Sequence, residues 1–358
     1  MDIPGEPHES MVSNGVKTMT LKIGRGTNIS HWLSQSERRG APRRAYFTQE
    51  DVRRIADWGF DHIRLPIDEE QMWDASGRQE AEAFDLMDSA LDWAEGAGLN
   101  VVVDLHILRS HHFNQGDKQL FTDPAEAERF ADYWRQLSAR LNGRSNDRVA
   151  YELLNEAVAK DPNDWNRVAG IAFRAIRQLE PQRTIVLGSN RWNSALTFDQ
   201  LEVPDDRNTI LTFHYYLPML VTHYQAWWWP EGGVYKGAIQ YPGRPIPAEC
   251  LAEVDEPLRA RLEKLNRPYD RAAMVADLAQ PLSAGRRTGL PLYCGEFGVI
   301  NLAPQPIRLA WYRDLLSVFA EYGIAWANWD FRGSFGILDN DRKSTGIAEA
   351  MLSVKSHA

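Results

Sequence analysis

The sequence predicts a single (β/α)8 TIM barrel, and three observations lead to that fold class. Short apolar runs rich in β-branched residues alternate with longer helical patterns from about residue 20 onward, which is typical of a parallel sheet with crossover helices. Eight such runs are present, the number that closes a parallel barrel. A length of 358 residues suits one domain of this kind, because α/β barrels commonly exceed the usual domain size.

The eight predicted strands are spread along the whole chain. They cover 21–28 (LKIGRGTN), 61–67 (DHIRLPI), 100–106 (NVVVDLH), 148–156 (RVAYELLNE), 184–189 (TIVLGS), 209–216 (TILTFHYY), 290–296 (LPLYCGE) and 324–330 (IAWANWD). A doubly wound open sheet is the alternative architecture. Such a sheet normally carries a glycine-rich nucleotide loop after its first strand, and GRGTNISHW matches that loop poorly.

Helical periodicity fills most of the intervals between these strands. The predicted helices are 48–58, 81–97, 124–141, 163–179, 270–287 and 305–322. Thr48 and Asp123 are predicted N-caps, the second followed by a proline at the first helical position. The fifth unit is the weakest, since residues 190–208 hold no convincing long helix.

The remaining segments complete the predicted domain organisation. Residues 1–17 are polar and contain proline and glycine, so we expect a flexible N-terminal tail before a catalytic barrel at 18–358. A long loop at about 217–268 separates the sixth strand from its helix. A loop of that length inside a compact domain is usually functional.

Composition narrows the class of partner. The net charge of -9 disfavours nucleic acid, whose binding needs clustered Lys and Arg. No apolar run approaches the roughly 20 residues of a membrane span, so no membrane partner is expected. The 13 Trp exceed what core packing usually needs, and their rings suit the apolar C–H faces of sugars. Cys250 and Cys294 fit neither a disulfide scaffold nor a metal-ligand spacing, and their proximity is left open.

Polar residues end most of the predicted strands, where the chemistry of such barrels gathers. They are Arg64, His106, Asn155, Glu156, His214, Tyr216, Glu296, Trp329 and Asp330. No lysine is among them, which argues against Schiff-base chemistry. The first strand also lacks the His-X-His pair expected of a metal-dependent amidohydrolase.

Two glutamates at one barrel mouth suit glycoside hydrolysis, where one protonates the leaving oxygen and the other attacks the anomeric carbon. Arg64 is the natural partner of Glu296, and Tyr216 is a further donor to it. A structural ion pair is the alternative for either glutamate taken alone. His106 and His214 are expected to bind the sugar or orient the carboxylates rather than transfer protons.

Six motifs in order carry a family resemblance. They are HIRLP, VVVDLH, YELLNEAV, TFHYY, YCGEFGV and WANWDFRGSFGI. The set resembles glycoside hydrolase family 5, the retaining cellulase-type family of the large (β/α)8 clan. The resemblance implies Glu156 as acid/base, Asn155 as the ligand of the substrate 2-hydroxyl, Glu296 as nucleophile and Trp329 as a sugar platform.

Two loop segments are candidates for the cleft walls. The run THYQAWWW imperfectly resembles a segment of bacterial endoglucanase-like members, so His223 and Trp228 are predicted to line the leaving-group side. A hydrophobic clasp that packs the long loop on the barrel is the alternative. His31 and Trp32 are candidates for the opposite side, with ordinary loop packing as their alternative. His111 and His112 are expected on the solvent side.

The predicted function is a retaining endo-β-1,4-glucanase that acts by double displacement without metal or cofactor. The mechanism implies carboxyl groups about 5 to 5.5 Å apart. A β-mannanase, xyloglucanase, β-1,3-glucanase or exo-acting β-glucosidase of the same family stays open, as does a non-catalytic carbohydrate-binding barrel. A monomer is expected by family habit. Residues 1–17 lack a secretory apolar stretch, so the compartment is cytoplasmic unless a signal was removed, in which case it is extracellular.

Overall fold

Eight parallel strands close into a barrel in sequence order within the part of the chain that the computed structural model describes, residues 21–114, 116 and 118–353. The strands are β1 Arg25–Asn28, β2 His62–Asp68, β3 Asn100–Ile107, β4 Val149–Glu152, β5 Thr184–Gly188, β6 Thr209–Tyr215, β7 Leu292–Phe297 and β8 Ala325–Asn328. β8 pairs with β1, with Asn328 opposite Thr27. This closure confirms the predicted (β/α)8 barrel and excludes the open sheet, whose edge strands would stay unpaired.

The predicted helices are present. Those that occupy the predicted intervals are Gln49–Asp57, Ala81–Gly96, Pro124–Leu141, Pro162–Leu179, Arg271–Asp277, Ala279–Thr288 and Gln305–Tyr322. Further helices, of at most eight residues each, are Ala41–Arg44, Glu69–Met72, Gln119–Thr122, Met219–Thr222, Ala248–Ala252, Leu258–Leu265 and Ile347–Leu352. The fifth unit has only a turn at Asn190–Asn193 and a 3-10 helix at Ala195–Gln200, as the sequence indicated.

Both predicted N-caps start their helices. The Asp51 carboxylate accepts from the Thr48 backbone N–H at 2.9 Å and closes a capping box. The Asp123 side chain accepts from Ala125 N–H at 2.9 Å, with Pro124 at the first helical position.

The helix predicted at 270–287 is broken in two at Leu278. Pro281 explains the break, since it has no N–H to donate to the carbonyl of Asp277 and its ring crowds that carbonyl. The strand predicted at 148–156 is also shorter than expected. It ends at Glu152, and Glu156 adopts a left-handed φ of 47°, which excludes it from the strand.

Side chains that point into the barrel form layers along its axis. The lower layer is apolar and comprises Leu21, Val102, Ala150, Val186, Ile210, Tyr293 and Ala327. A polar layer above it holds Asn28, Arg64, Asp104, Glu152 and Thr212, all buried. A bulge between β6 and β7 skips Gly295, so that His214 pairs with Glu296. The barrel therefore directs its buried charge toward the carboxyl ends of the strands.

The predicted loop at 217–268 is an ordered excursion with three short helices. Its start is fixed to the last long helix by Trp311, whose indole N–H donates to the Leu217 carbonyl at 2.9 Å. Its middle is fixed to the same helix by Tyr241, whose hydroxyl donates to Asp314 at 2.8 Å. The excursion is thus part of the barrel rim.

The predicted tail at 1–17 lies outside the described residues. Cys250 and Cys294 are both free thiols, the second buried. Among the described helices, none has the length and apolar character needed to cross a membrane.

Candidate active site

The carboxyl ends of β4 and β7 bring Glu156 and Glu296 together. Glu296 lies in β7, and Glu156 follows β4. One carboxylate oxygen of each lies within 4.8 Å of the other and of a His214 ring nitrogen. Glu296 is 5% exposed, whereas Glu156 is partly exposed. Two carboxyls at this separation can act on opposite sides of one substrate bond.

Arg64 holds Glu296 from inside the barrel. The fully buried guanidinium donates from Nη1 to Oε1 of Glu296 at 2.7 Å. The hydroxyl of Tyr216 donates to the other oxygen, Oε2, at 3.0 Å. A carboxylate with donors on both oxygens, one of them cationic, is stabilised in its ionised form and fixed in orientation.

Two further acids share the guanidinium of Arg64. Glu152 accepts from Nε and Nη2 at 2.7 and 2.9 Å, and an Asp104 oxygen lies 3.0 Å from Nη2. Burial raises the pKa of both acids to about 7, although the charge of Arg64 opposes the rise. The same guanidinium donates to Asn28 and Asn155 at 2.9 and 3.0 Å. Arg64 is therefore immobilised by five acceptors and cannot swing away from Glu296.

His214 lies within hydrogen-bond distance of Glu156. Its Nδ1 lies 2.9 Å from Oε1 of Glu156 and 3.6 Å from Oε2 of Glu296. Burial lowers the pKa of His214 well below its ordinary value, and the nearby charge of Arg64 lowers it further. The ring is therefore neutral at ordinary pH.

The same three side chains, His214 and the two glutamates, are spaced closely enough to hold a metal ion. However, Arg64 and Tyr216 already occupy both oxygens of Glu296, and the imidazole engages Glu156. A cation would have to displace these hydrogen bonds.

The two glutamates differ in their electrostatic surroundings. Burial raises the pKa of Glu156 well above its ordinary value, and the negative charge of Glu296 raises it further. Burial also raises the pKa of Glu296, but Arg64 opposes this rise most strongly and Tyr216 adds to the opposition. Glu156 is thus the carboxyl that keeps a proton, and Glu296 is the one that loses it first.

One wall of the site is built from stacked rings at the ends of β3 and β8. His106 stacks on Trp329 with centroids 5.6 Å apart and planes inclined by 7°. Asp104 lies 2.6 Å from Nδ1 of His106, and burial lowers the pKa of this histidine to about 3. Gln35 contacts its Nε2 at 3.0 Å. His31 meets the edge of Trp329 at 6.1 Å and marks the exposed end of the wall.

A second row of rings leads from Tyr216 out to solvent. His223 lies edge-on to Tyr216 at 5.1 Å, and Trp228 follows at 6.5 Å from His223. Trp227 continues the row at 5.7 Å. Trp228 is 40% exposed and Trp227 86% exposed. Because exposed indole rings are available for stacking, this row offers an apolar surface that begins next to the carboxylate of Glu296.

The order of these strand-end residues matches a known family. The family model described as cellulase, glycosyl hydrolase family 5, matches residues 24–334. The chain belongs to glycoside hydrolase family 5. The resemblance predicted from the strand-end motifs is confirmed, and most of the barrel lies inside the match.

Relatives within family 5 are similar over nearly their whole length. Endoglucanase C of Acetivibrio thermocellus is 32% identical over 324 residues, which is 89% of this chain and 94% of that protein. Cellodextrinase A of Ruminococcus flavefaciens is 30% identical over 307 residues, 85% and 84% of the two chains. Among solved structures, endoglucanase Cel5A of Thermotoga maritima superposes with a TM-score of 0.75 at 25% identity, covering 92% and 96% of the chains.

Two loop predictions need correction in this family 5 barrel. Trp32 is fully buried, donates from its indole N–H to the Arg43 carbonyl at 2.8 Å and packs against Phe47. It belongs to the core and does not line the cleft, so the loop-packing alternative is right. His111 is 1% exposed and accepts from the Val158 N–H at 3.2 Å, so the expectation of a solvent-side position is wrong for it. His112 is partly exposed.

Several residues of the site were not predicted from the sequence, among them Asp104, Glu152 and Asn193. Asp104 and Glu152 each interrupt an apolar strand, and a charged residue inside such a run signals a buried polar network. Asp104 also lies two residues before His106, so strand periodicity turns both side chains inward. Asn193 gave no comparable signal, because it reaches His214 through an irregular loop after β5.

Proposed function

We propose that this family 5 protein is a retaining endo-β-1,4-glucanase in which Glu296 is the nucleophile and Glu156 the acid/base. One observation carries the assignment. Arg64 and Tyr216 occupy the two oxygens of Glu296, while Glu156 contacts only a neutral histidine among the described side chains. The cation thus favours the ionised nucleophile, and burial favours the protonated acid.

The spacing of the glutamates supports retention. Retaining enzymes hold their carboxyls about 5 to 5.5 Å apart, whereas inverting enzymes leave roughly 6.5 to 9.5 Å for a water molecule. The nearest oxygens of the two carboxyls here lie within 4.8 Å of each other, which agrees better with the retaining spacing than with the inverting one. Glu296 attacks the anomeric carbon while Glu156 gives its proton to the leaving oxygen. Glu156 then takes a proton from water, which hydrolyses the glycosyl-enzyme.

Three supporting roles follow from the hydrogen bonds and ring contacts of the site. The Asn155 carbonyl oxygen accepts from Arg64, so its amide N–H groups are directed to a substrate hydroxyl, as the resemblance implies for the 2-hydroxyl. Tyr216 steadies the nucleophile. Trp329, backed by His106, supplies a platform for one sugar.

The substrate class rests on the relatives and on the two aromatic surfaces. The similar proteins are named as endoglucanases and as a cellodextrinase. Trp329 belongs to one ring wall, with His106 and His31, and Trp228 to a second, which reaches Glu296 through His223 and Tyr216. Two separate aromatic surfaces near the glutamates suit a glucan that extends beyond the cleaved bond in both directions. His223 and Trp228 then bind the leaving-group side, and His31 the far end of the other side. A single chain carries all of these groups, so the proposed activity needs no second subunit, and we expect a monomer as the family resemblance implies.

A glycan panel tests this function. Carboxymethylcellulose, β-mannan, xyloglucan, laminarin and cello-oligosaccharides are compared, with Glu296→Ala as control. Mannan is included because Thermotoga maritima Cel5A has also been solved with mannotriose. A rapid fall in the viscosity of carboxymethylcellulose with few new reducing ends, absent in the control, is expected. Glucose release from short oligomers alone would contradict endo action, and no hydrolysis at all would contradict the enzyme assignment.

A further inference from the structure

The loop after β5 brings a buried asparagine to the side of His214 that faces away from Glu156. Asn193 is fully buried, and its amide Nδ2 lies 3.3 Å from Nε2 of His214. The other ring nitrogen, Nδ1, lies 2.9 Å from Oε1 of Glu156. One imidazole thus connects the asparagine to the proposed acid/base.

The orientation of the Asn193 amide decides which ring nitrogen carries the proton, and it places Nδ2 rather than Oδ1 toward Nε2 of His214. An amide nitrogen donates and does not accept, so Nε2 of His214 is the acceptor. A neutral imidazole then carries its proton on Nδ1. The low pKa of His214 agrees with a neutral ring. The Nδ1–H therefore donates to Oε1 of Glu156.

This direction of donation matters for an acid catalyst. With Oε1 occupied as an acceptor, the catalytic proton of Glu156 resides on Oε2, where it is free for the leaving oxygen. In the opposite tautomer, Nδ1 would accept a hydrogen bond from Glu156. The acid proton would then point to the histidine and not to the leaving oxygen. Charged groups facing this pair come from four other strands and are Arg64 on β2, Asp104 on β3, Glu152 on β4 and Glu296 on β7. None of these side chains contacts Nε2 of His214 among the hydrogen bonds of the described residues.

The placement of Asn193 is built into the fold. Arg191, Trp192 and Asn193 all have left-handed φ values, 58°, 61° and 50°, a conformation that bulky residues adopt at a cost. Ser194 pairs with His214 as a parallel bridge, which holds the loop against β6. A Cβ on Gly188 would come within 2.5 Å of the Asn193 side-chain oxygen, so that glycine makes room for the amide.

From this geometry we infer that Asn193 is a positioning residue that fixes the tautomer of His214 and thereby directs the acid proton of Glu156 toward the leaving group. The inference rests on the proposed function, because it presupposes Glu156 as the acid. It adds a residue from the β5 loop to the groups that govern the first chemical step.

The leaving-group dependence of kcat/KM tests the inference. Asn193→Asp replaces the donor with an acceptor of the same shape and reverses the tautomer preference. We expect a loss of at least about tenfold on phenyl β-cellobioside, whose leaving group needs a proton, within the range that general acids supply. The loss on 2,4-dinitrophenyl β-cellobioside, whose leaving group needs none, should stay under about threefold. Asn190→Ala is the matched control. Asn190 is buried in the same loop but bonds the Ala159 backbone, so its substitution should affect both substrates alike.

Nitrogen NMR of histidine-labelled protein provides a second measurement. The proton on His214 should sit on Nδ1 in the parent protein and move to Nε2, or occupy both nitrogens, in Asn193→Asp, with the signal assigned by its loss in His214→Gln. Equal losses on both aryl substrates, or an unchanged tautomer, would overturn the role of Asn193. Neither result would contradict the proposed function. The proposed function would be contradicted if Glu156→Ala kept full activity on phenyl β-cellobioside.

Discussion

Arg64 and Glu296 form a buried ion pair in which Nη1 and Oε1 are 2.7 Å apart, and the rest of the same guanidinium is bonded to Glu152. The proposed nucleophile is thus paired with a cation that other buried side chains hold in place. This ion pair connects β2, which carries Arg64, to β7, which carries Glu296.

Arg64→Lys should lower kcat/KM on cello-oligosaccharides by about 100-fold or more. An ammonium is a single point charge and cannot bridge Glu296, Glu152 and Asn155 at once, so the proposed nucleophile Glu296 would lose its orientation. Steady-state kinetics on cellotetraose measure the loss. Arg183→Lys is the matched control. Arg183 is equally buried but donates to the carbonyls of Val149 and Leu141, so its change should lower the thermal midpoint more than the activity. A similar activity loss in both variants would contradict a specific role for Arg64.

The pH profile of kcat/KM should have an alkaline limb that belongs to Glu156. Burial raises the pKa of this acid well above its ordinary value, so the free enzyme holds the proton at low pH and loses activity as the pH rises through that pKa. Cellotetraose should show the limb strongly and 2,4-dinitrophenyl β-cellobioside weakly. The limb should vanish in Glu156→Gln when the dinitrophenyl substrate is used. An alkaline limb that survives this substitution must come from another group.

Glu152→Gln should flatten the dependence of stability on pH. The pKa of Glu152 is about 7 in the folded protein, against roughly 4.3 in an unfolded chain. The folded state therefore binds a proton that the unfolded chain releases, and its stability falls as pH rises through this window, by at most about 1.4 kcal/mol per pH unit. Urea unfolding at several pH values measures the slope.

The control for that slope is Glu263→Gln, on an exposed helix position. Its unfolding free energy should follow the parent protein at every pH. Parallel curves for Glu152→Gln and the parent would show that Glu152 does not hold a proton in the folded state.

Trp228→Ala should weaken binding on the leaving-group side alone. Stacking on an exposed indole contributes about 1 kcal/mol, so kcat/KM should fall about fivefold on cellopentaose. Aryl β-cellobiosides carry no sugar on the leaving-group side and should be hydrolysed at nearly the parent rate. Tyr322→Ala, an exposed aromatic at the end of the last long helix, is the control and should change neither. Equal losses on both substrates would favour the hydrophobic-clasp alternative.

Strand-end residues were predictable, because a closed parallel barrel gathers them by its topology alone. That rule placed Arg64, His214, Tyr216 and Glu296 at one mouth, and the hydrogen bonds among them agree. The positions of loop residues could not be predicted by this rule, because the backbone of a loop is set by tertiary contacts rather than by periodicity. Trp32 is an example, because its side chain is buried in the core and does not line the cleft.

The helix break at Leu278 could have been predicted from the sequence, because Pro281 is incompatible with the continuous helix that the apolar pattern suggested. The left-handed turn that carries Asn193 could not be predicted. Positive φ at three consecutive residues other than glycine, Arg191 to Asn193, has no sequence signature.

Azide rescue tests the roles of the two glutamates most directly. With 2,4-dinitrophenyl β-cellobioside and azide, Glu296→Ala should form α-cellobiosyl azide, because azide replaces the nucleophile and inverts the anomeric carbon once. Glu156→Ala should form β-cellobiosyl azide, because azide attacks the glycosyl-enzyme that Glu296 still makes. Proton NMR of the anomeric signals identifies each product. The interchange of these two products, or the α product from both variants, would contradict the assignment of Glu296 as nucleophile and Glu156 as acid/base.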